Sequence, residues 1–204
     1  MITPTKITLS PQELQLVTNT EWILTKQLIM DKVFQLLGEL CEKMKGLIAK
    51  EKEWLPNAVL ISEPKIFKGE NYLKLPYVML DYPRCFDSTD IFAIRTMFWW
   101  GNFFSITIQL SGRYKKMFEK NIIKNRDACQ TKNFYCCIND DQWQHHFNAG
   151  NYCKVSAMGI EEFENNISER QFIKIAISYS MYQWNDIPVL LERSFFEMLQ
   201  LLRS

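Results

Sequence analysis

The stretch IFAIRTMFWWGNFFSITIQLS, Ile91–Ser111, decides the fold. Polar and apolar residues alternate on both sides of Gly101-Asn102, as in two strands joined by a tight turn. Gly at the first central position suits a two-residue type II′ turn, whose twist matches that of its strands. That turn sets Trp100 opposite Phe103, and so on down to Ala93 opposite Leu110. One face then carries Ala93, Arg95, Met97 and Trp99 with Leu110, Ile108, Ile106 and Phe104, and it is apolar except for Arg95. The other carries Ile94, Thr96, Phe98 and Trp100 with Gln109, Thr107, Ser105 and Phe103. A slip of one residue would exchange these faces, so the reading rests on the turn.

Two expectations follow from this register. A charge on an apolar face needs a partner, because burying it alone is very costly. Asp81, on the preceding strand, is the obvious candidate, with Asp87 and Asp90 as rivals. An Arg95–Asp81 ion pair that fixes strand register is the preferred reading; the functional reading is an Arg that clamps a carboxylate or phosphate. The second expectation concerns Phe98, Trp100 and Phe103, which gather at the hairpin tip on the otherwise polar face. Packing within the chain is the commoner fate of such rings, and exposure would mark a contact surface for a partner or a second copy.

Outward from the hairpin, Tyr77–Tyr82 reads as a strand bounded by Pro76 and Pro83. Phe172–Met181 alternates, with Ile173, Ile175, Ile177 and Tyr179 facing the core and Lys174, Ala176, Ser178 and Ser180 facing away. Ser10-Pro11-Gln12-Glu13 has the form of a capping box with Pro at the first helical position. A helix that Thr20 restarts or continues runs to about Lys50, with an apolar stripe of Ile29, Val33, Leu36, Leu40, Met44 and Leu47. Gly112 ends the hairpin and a helix spans Arg113 to Arg126; Lys115, Lys116, Lys120 and Lys124 form its solvated side. A short aromatic segment at Phe134–Ile138, a loop-rich region from Asp140 to Met158 and a short helix at Ile160–Ile167 come next. A last helix starts near Asp186-Ile187-Pro188. Consecutive strands joined by short turns, with helices at both chain ends, make an α+β fold: a twisted antiparallel sheet with the terminal amphipathic helices mainly on one face. No linker divides the chain, so residues 1–204 are read as one domain.

Composition narrows the function. Lys and Arg total 24 against 23 Asp and Glu, which gives no long-range pull toward nucleic acid or an anionic membrane. The first residues lack a secretory pattern and no apolar run has the length of a membrane span, so a cytoplasmic protein with six reduced cysteines is expected. Cys129, Cys136, Cys137, His145, His146 and Cys153 supply zinc-type ligands, but without a CxxC pair; small buried thiols are the preferred reading, and neither metal nor cofactor is expected. His145 and His146 are the only histidines, so an imidazole-based catalyst would use one of them, oriented by Asp140 or Asp141. No nucleophile elbow, P-loop or dinucleotide fingerprint accompanies them.

The segments KGENYLKLPYVMLDYPRCF (Lys68–Phe86) and FAIRTMFWWGNFFSITIQLSG (Phe92–Gly112) resemble the central signature of a family of uncharacterised bacterial proteins of similar length. In element order the chain is also similar to the YktB-type family: an amphipathic N-terminal helix, a Leu75-Pro76-Tyr77 strand entry, an aromatic strand pair, then a strand and a helix. These resemblances imply an antiparallel α+β fold and carry no activity. The expected function is therefore binding: of a protein partner, of another copy, or of a small anion. Arg95 and Asp81 are the polar anchor and Phe98, Trp100 and Phe103 the contact surface. The alternative is an enzyme using His145 or His146, with Arg95 holding an anionic group.

Overall fold

A computed structural model describes residues 7–203. The chain opens with α1 (Pro11–Thr18), capped as its sequence requires: the Ser10 hydroxyl accepts from the Glu13 N–H and the Glu13 carboxylate accepts from the Ser10 N–H. Asn19 interrupts the helix and restarts it, its side chain accepting from the Trp22 N–H at 2.9 Å to begin α2 (Thr20–Ile48). Met30, Val33, Leu37, Leu40, Met44 and Ile48 are the buried stripe of α2, spaced by three or four residues.

A short α3 (Asn57–Leu60) leads into β1 (Lys65–Tyr72), β2 (Leu75–Phe86), β3 (Ile91–Trp99) and β4 (Phe103–Ser111). Then come α4 (Gly112–Lys124), α5 (Arg126–Thr131), β5 (Tyr135–Cys137), β6 (Tyr152–Lys154), α6 (Ile160–Glu169), β7 (Phe172–Ser180) and α7 (Ile187–Leu201). The strands make one seven-stranded sheet in the order β1-β2-β3-β4-β7-β5-β6, and every pairing is antiparallel. Helices α2, α4 and α7 cover one face, and the core there includes Val78, Leu80, Phe92, Ile94, Phe104, Ile106, Ile108 and Ile175. Each such side chain, once fully buried, contributes about 1.5–3 kcal/mol.

The hairpin register differs by one residue from the sequence reading. Trp99 pairs with Phe103 and Arg95 with Thr107. The turn is Trp99–Asn102, closed by the Asn102 N–H on the Trp99 carbonyl at 3.0 Å, with Gly101 at φ 72°. Glycine thus serves the third turn position, where a positive φ is required, and three residues rather than two lie between the strands. The partner faces therefore exchange. Phe98 packs with Phe104 and Ile106 beneath the helices, whereas Met97 and Trp99 share the opposite face with Phe103.

Three smaller corrections have equally local causes. Strand β2 runs through both prolines rather than stopping between them, because Pro83 falls within the irregularity between Asp81 and Arg84, where no ladder bond is asked of it. The helix after the hairpin breaks at Asn125 into α4 and α5. Lys115 is buried rather than solvated, since its ammonium reaches Glu119 at 2.5 Å and the Ser168 carbonyl at 2.9 Å.

Among the described residues, no helix covers the second face of the sheet. It is crossed by residues 138–151, the connection between β5 and β6, which we call the strap. The Ile138 N–H on the Asn151 carbonyl closes its base at 2.9 Å. Arg170 pins the same end, donating to the carbonyls of Ile138 and Asn139 and to the Asp140 carboxylate. In the middle, Phe147 stacks on Tyr152 and meets Phe103 and Tyr135 edge-on, joining aromatic clusters from the two halves of the sheet.

Candidate functional site

Strand alternation brings Asp81, Arg95, Thr107, Gln109 and Lys174 to the strap side of the sheet. Asp81 and Arg95 are cross-strand partners, and their ion pair is bidentate, Nε to Oδ1 at 2.9 Å and Nη2 to Oδ2 at 3.3 Å. The guanidinium also lies 5.6 Å from the ring centres of Phe86 and of Trp143, so aromatic faces and one carboxylate account for most of its surroundings. Its remaining nitrogen, Nη1, is buried without a hydrogen-bond partner.

Lys174 is the larger anomaly, at 1% exposure. Its ammonium donates to the Gln144 carbonyl at 2.5 Å and sits 5.4 Å from the Tyr152 ring, but no carboxylate forms a salt bridge with it among the described residues. Burial holds its pKa down to about 8, and the nearby Arg95 pushes the same way. Gln109, the cross-strand partner of Lys174, donates to Gln142 Oε1 at 3.0 Å while its own carbonyl oxygen is buried and unpartnered.

The strap carries both histidines and brings His145 near Lys174 and Arg95. The Tyr72 hydroxyl accepts from the backbone N–H of His145 at 2.6 Å and of His146 at 3.0 Å, and the Tyr72 ring lies 5.5 Å from that of His145. Burial, with Lys174 and Arg95 nearby, holds the His145 pKa well below the usual imidazole value. His146 Nδ1 is buried without a partner. Asp141 organises the strap itself, accepting from the Trp143 N–H and the Gln144 amide, contacts that hold its carboxyl below the ordinary range.

Of the seven candidate residues, Asp81 and Arg95 are thus paired beneath the strap, and His145 and His146 belong to the strap itself, His145 near Arg95 and Lys174. The three aromatics do not form one surface. Phe98 is core; Trp100 lies against Phe98 and against Trp22 of α2; Phe103 is on the other face beside Trp99 and Phe147. The expected aromatic contact patch is therefore absent, because the extra turn residue sends its members to opposite sides. The cysteines are likewise dispersed. Cys129 and Cys136 belong to the helix-side core and Cys137 to the strap side, and no group of three His, Cys, Asp or Glu is placed to hold a metal among the described residues. Burial pushes the Cys129 thiol up to about 12 and raises Cys136 further still, so neither is a ready thiolate.

The structure adds a second region that the sequence reading passed over. From Leu9 to Leu28 the chain buries nothing: Leu9, Leu14, Leu16, Val17, Trp22, Ile23, Leu24 and Leu28 are all 41–65% exposed. Burial in α2 starts only at Met30. Helix α1 and the first turns of α2 form an arm held to the body by Trp22 on Trp100, with ring centres 6.3 Å apart, and by a Lys26–Glu70 contact at 3.8 Å. The signal was present in the sequence: Ile23, Leu24 and Leu28 lie alongside and ahead of the stripe and widen it beyond one helix–sheet contact. No helix among the described residues is long and apolar enough to cross a membrane. No family model matches the chain, and no curated protein matches its sequence.

Proposed function

We propose that this protein acts by binding, and that its contact surface is the N-terminal arm, docked against the arm of a second copy. The observation that carries this reading is the run of half-exposed apolar side chains from Leu9 to Leu28. Monomeric proteins rarely expose contiguous apolar patches beyond a few hundred Å². At roughly 90 Å² for each of these side chains the arm offers on the order of 700 Å², close to the ~800 Å² that one partner brings to a standard interface. The charge pattern favours a copy of itself over a lipid surface. Between Ser10 and Leu28 only Glu13, Glu21 and Lys26 are charged, whereas interfacial membrane helices have a basic polar face. A near-neutral apolar helix face is self-complementary about a two-fold axis.

Sedimentation equilibrium tests the proposal. The wild type is expected to be a dimer at micromolar concentration, and Leu24→Glu with Leu28→Glu a monomer with unchanged far-UV circular dichroism. A wild type that stays monomeric at the highest soluble concentration, or a double variant that still dimerises, sinks it.

A further inference from the structure

A second binding function, independent of the arm, is written into the face beneath the strap. We propose that this face is a site for a small oxyanion, a carboxylate or phosphate group, held between Lys174 Nζ and Arg95 Nη1.

The argument starts from charge. Arg95 has its counter-ion in Asp81 and still keeps one buried, unpartnered N–H nitrogen. Lys174 has none; a backbone carbonyl and a phenol ring are its partners. Fully buried lysines are rare unless paired, and two cations enclosed with one carboxylate leave a positive charge uncompensated. Placement lets one anion meet both. Arg95 pairs with Thr107, Thr107 with Ala176, and Lys174 is two residues along the same strand face. Strand spacing of about 4.8 Å and a rise of about 3.4 Å per residue put their Cα atoms roughly 12 Å apart, a span that two long side chains pointing to the same face can close from either end. Between them stand the Thr107 hydroxyl and the Gln109 amide, which are polar and uncharged. His145 lies nearby in the strap, where burial first and the two cations second push its pKa down. Asp141 also acts on Lys174, as the Cys137 thiol does, but its carboxylate faces solvent and is engaged by the strap's own N–H groups.

The strap occupies the position that the anion would take. Gln144 gives its carbonyl to Lys174 as a neutral stand-in for an anionic oxygen. An oxyanion would replace a dipole with a full charge, so binding and release of Gln144 are one event. A separate cleft of about 860 Å³ runs along the strap's pinned end, lined by Gln142 and Phe172 but also by Asp140, Glu162 and Glu169, and none of the site's own residues lines it.

The test uses the full chain with inorganic phosphate in one arm and succinate in the other. Thermal unfolding should show a saturable rise in midpoint with at least one of them. Lys174→Met should abolish that rise, whereas Lys154→Met, a change in an exposed lysine nearby, should keep it. Amide hydrogen exchange gives the second reading: the effective anion should change exchange at residues 143–146 of the wild type. A midpoint indifferent to both anions, a response that survives Lys174→Met, or exchange unchanged across the strap would each overturn the proposal. If Lys174→Met fails to fold, the wild-type exchange experiment decides alone.

Discussion

At residues 9–28 apolar side chains face water, while at residues 95 and 174 charged side chains are kept from it. The two regions lie on opposite sides of one sheet, and each breaks the ordinary rule of burial in its own direction. In the arm the missing partner is apolar and large, because only an extended surface can cover several turns of helix beyond the body. Beneath the strap the missing partner is anionic and small, because the unmet groups, an ammonium and one guanidinium nitrogen, are buried. Size and chemistry of an absent partner can thus be read from the sign of the violation. An exposed greasy face asks for area, and a buried charge asks for a counter-charge.

The comparison is broken most severely at Asp81. Removing its carboxylate in Asp81→Ala leaves Arg95 buried without a counter-ion, and breaking such a pair costs about 3–5 kcal/mol. Urea unfolding should show a loss of that size, with most of it recovered in Asp81→Leu combined with Arg95→Met. A loss under about 1 kcal/mol would mean that water reaches the guanidinium.

Next in size is Lys174. Its folded pKa, about 8, lies below the unfolded value near 10.5. The unfolded chain therefore binds more protons between those values, and stability due to this group rises with pH across that window. Below pH 8 the penalty is fully present, on the order of 3 kcal/mol by the usual conversion of 1.36 kcal/mol per pKa unit. Lys174→Met should therefore exceed the wild type in stability at pH 7, and the gap should close as pH rises toward 10.5. The difference between the two proteins is the measurement, because buried Cys129 and Tyr152, with raised pKa values, act in the opposite sense at high pH in both. A gap that does not change with pH would show that the charge of Lys174 is not what the fold resists.

In the arm, Leu24→Glu and Leu28→Glu should weaken dimerisation by about 2–4 kcal/mol while leaving the unfolding of the isolated subunit within about 0.5 kcal/mol. Smallest of all is Trp143→Ala, which removes one ring from Arg95 and should cost about 0.5–1 kcal/mol, read as a shift in the urea midpoint. Its indole is half-exposed, so more than 2 kcal/mol would mean that the strap is held from this end rather than by Arg170 and Tyr72.

Local patterns carried much of the fold. The period of α2, the alternation of β7, the capping box at Ser10 and the Asp81–Arg95 pair were all legible, because each is set by residues a turn or a cross-strand step apart. The hairpin register was not, since both strands alternate and either pairing gives one largely apolar face. Only the backbone at Gly101 distinguishes them. Lys174 was rightly placed on the face away from Ile173 and Ile175, but nothing in β7 marked that face as covered. What covers it is an insertion between β5 and β6, and no local pattern at β7 reports that distant segment. The exposure of Leu24 and Leu28 was hidden for the converse reason: a stripe says that a face is apolar, not where the body beneath it ends.

Three residues, Trp100, Gly101 and Asn102, separate β3 from β4. The closing pair, Trp99 with Phe103, carries the register of every residue below it, so Thr107 meets Arg95 on the strap side and Ile106 meets Thr96 on the helix side. A two-residue loop joins the same pair as readily as a three-residue one, so it is the pairing of faces, not the number of tip residues, that separates the two environments. Substitutions at this tip therefore cost little as long as Gly101 keeps its positive φ, whereas moving the closing pair by one residue would exchange a charged face for an apolar one along the whole strand.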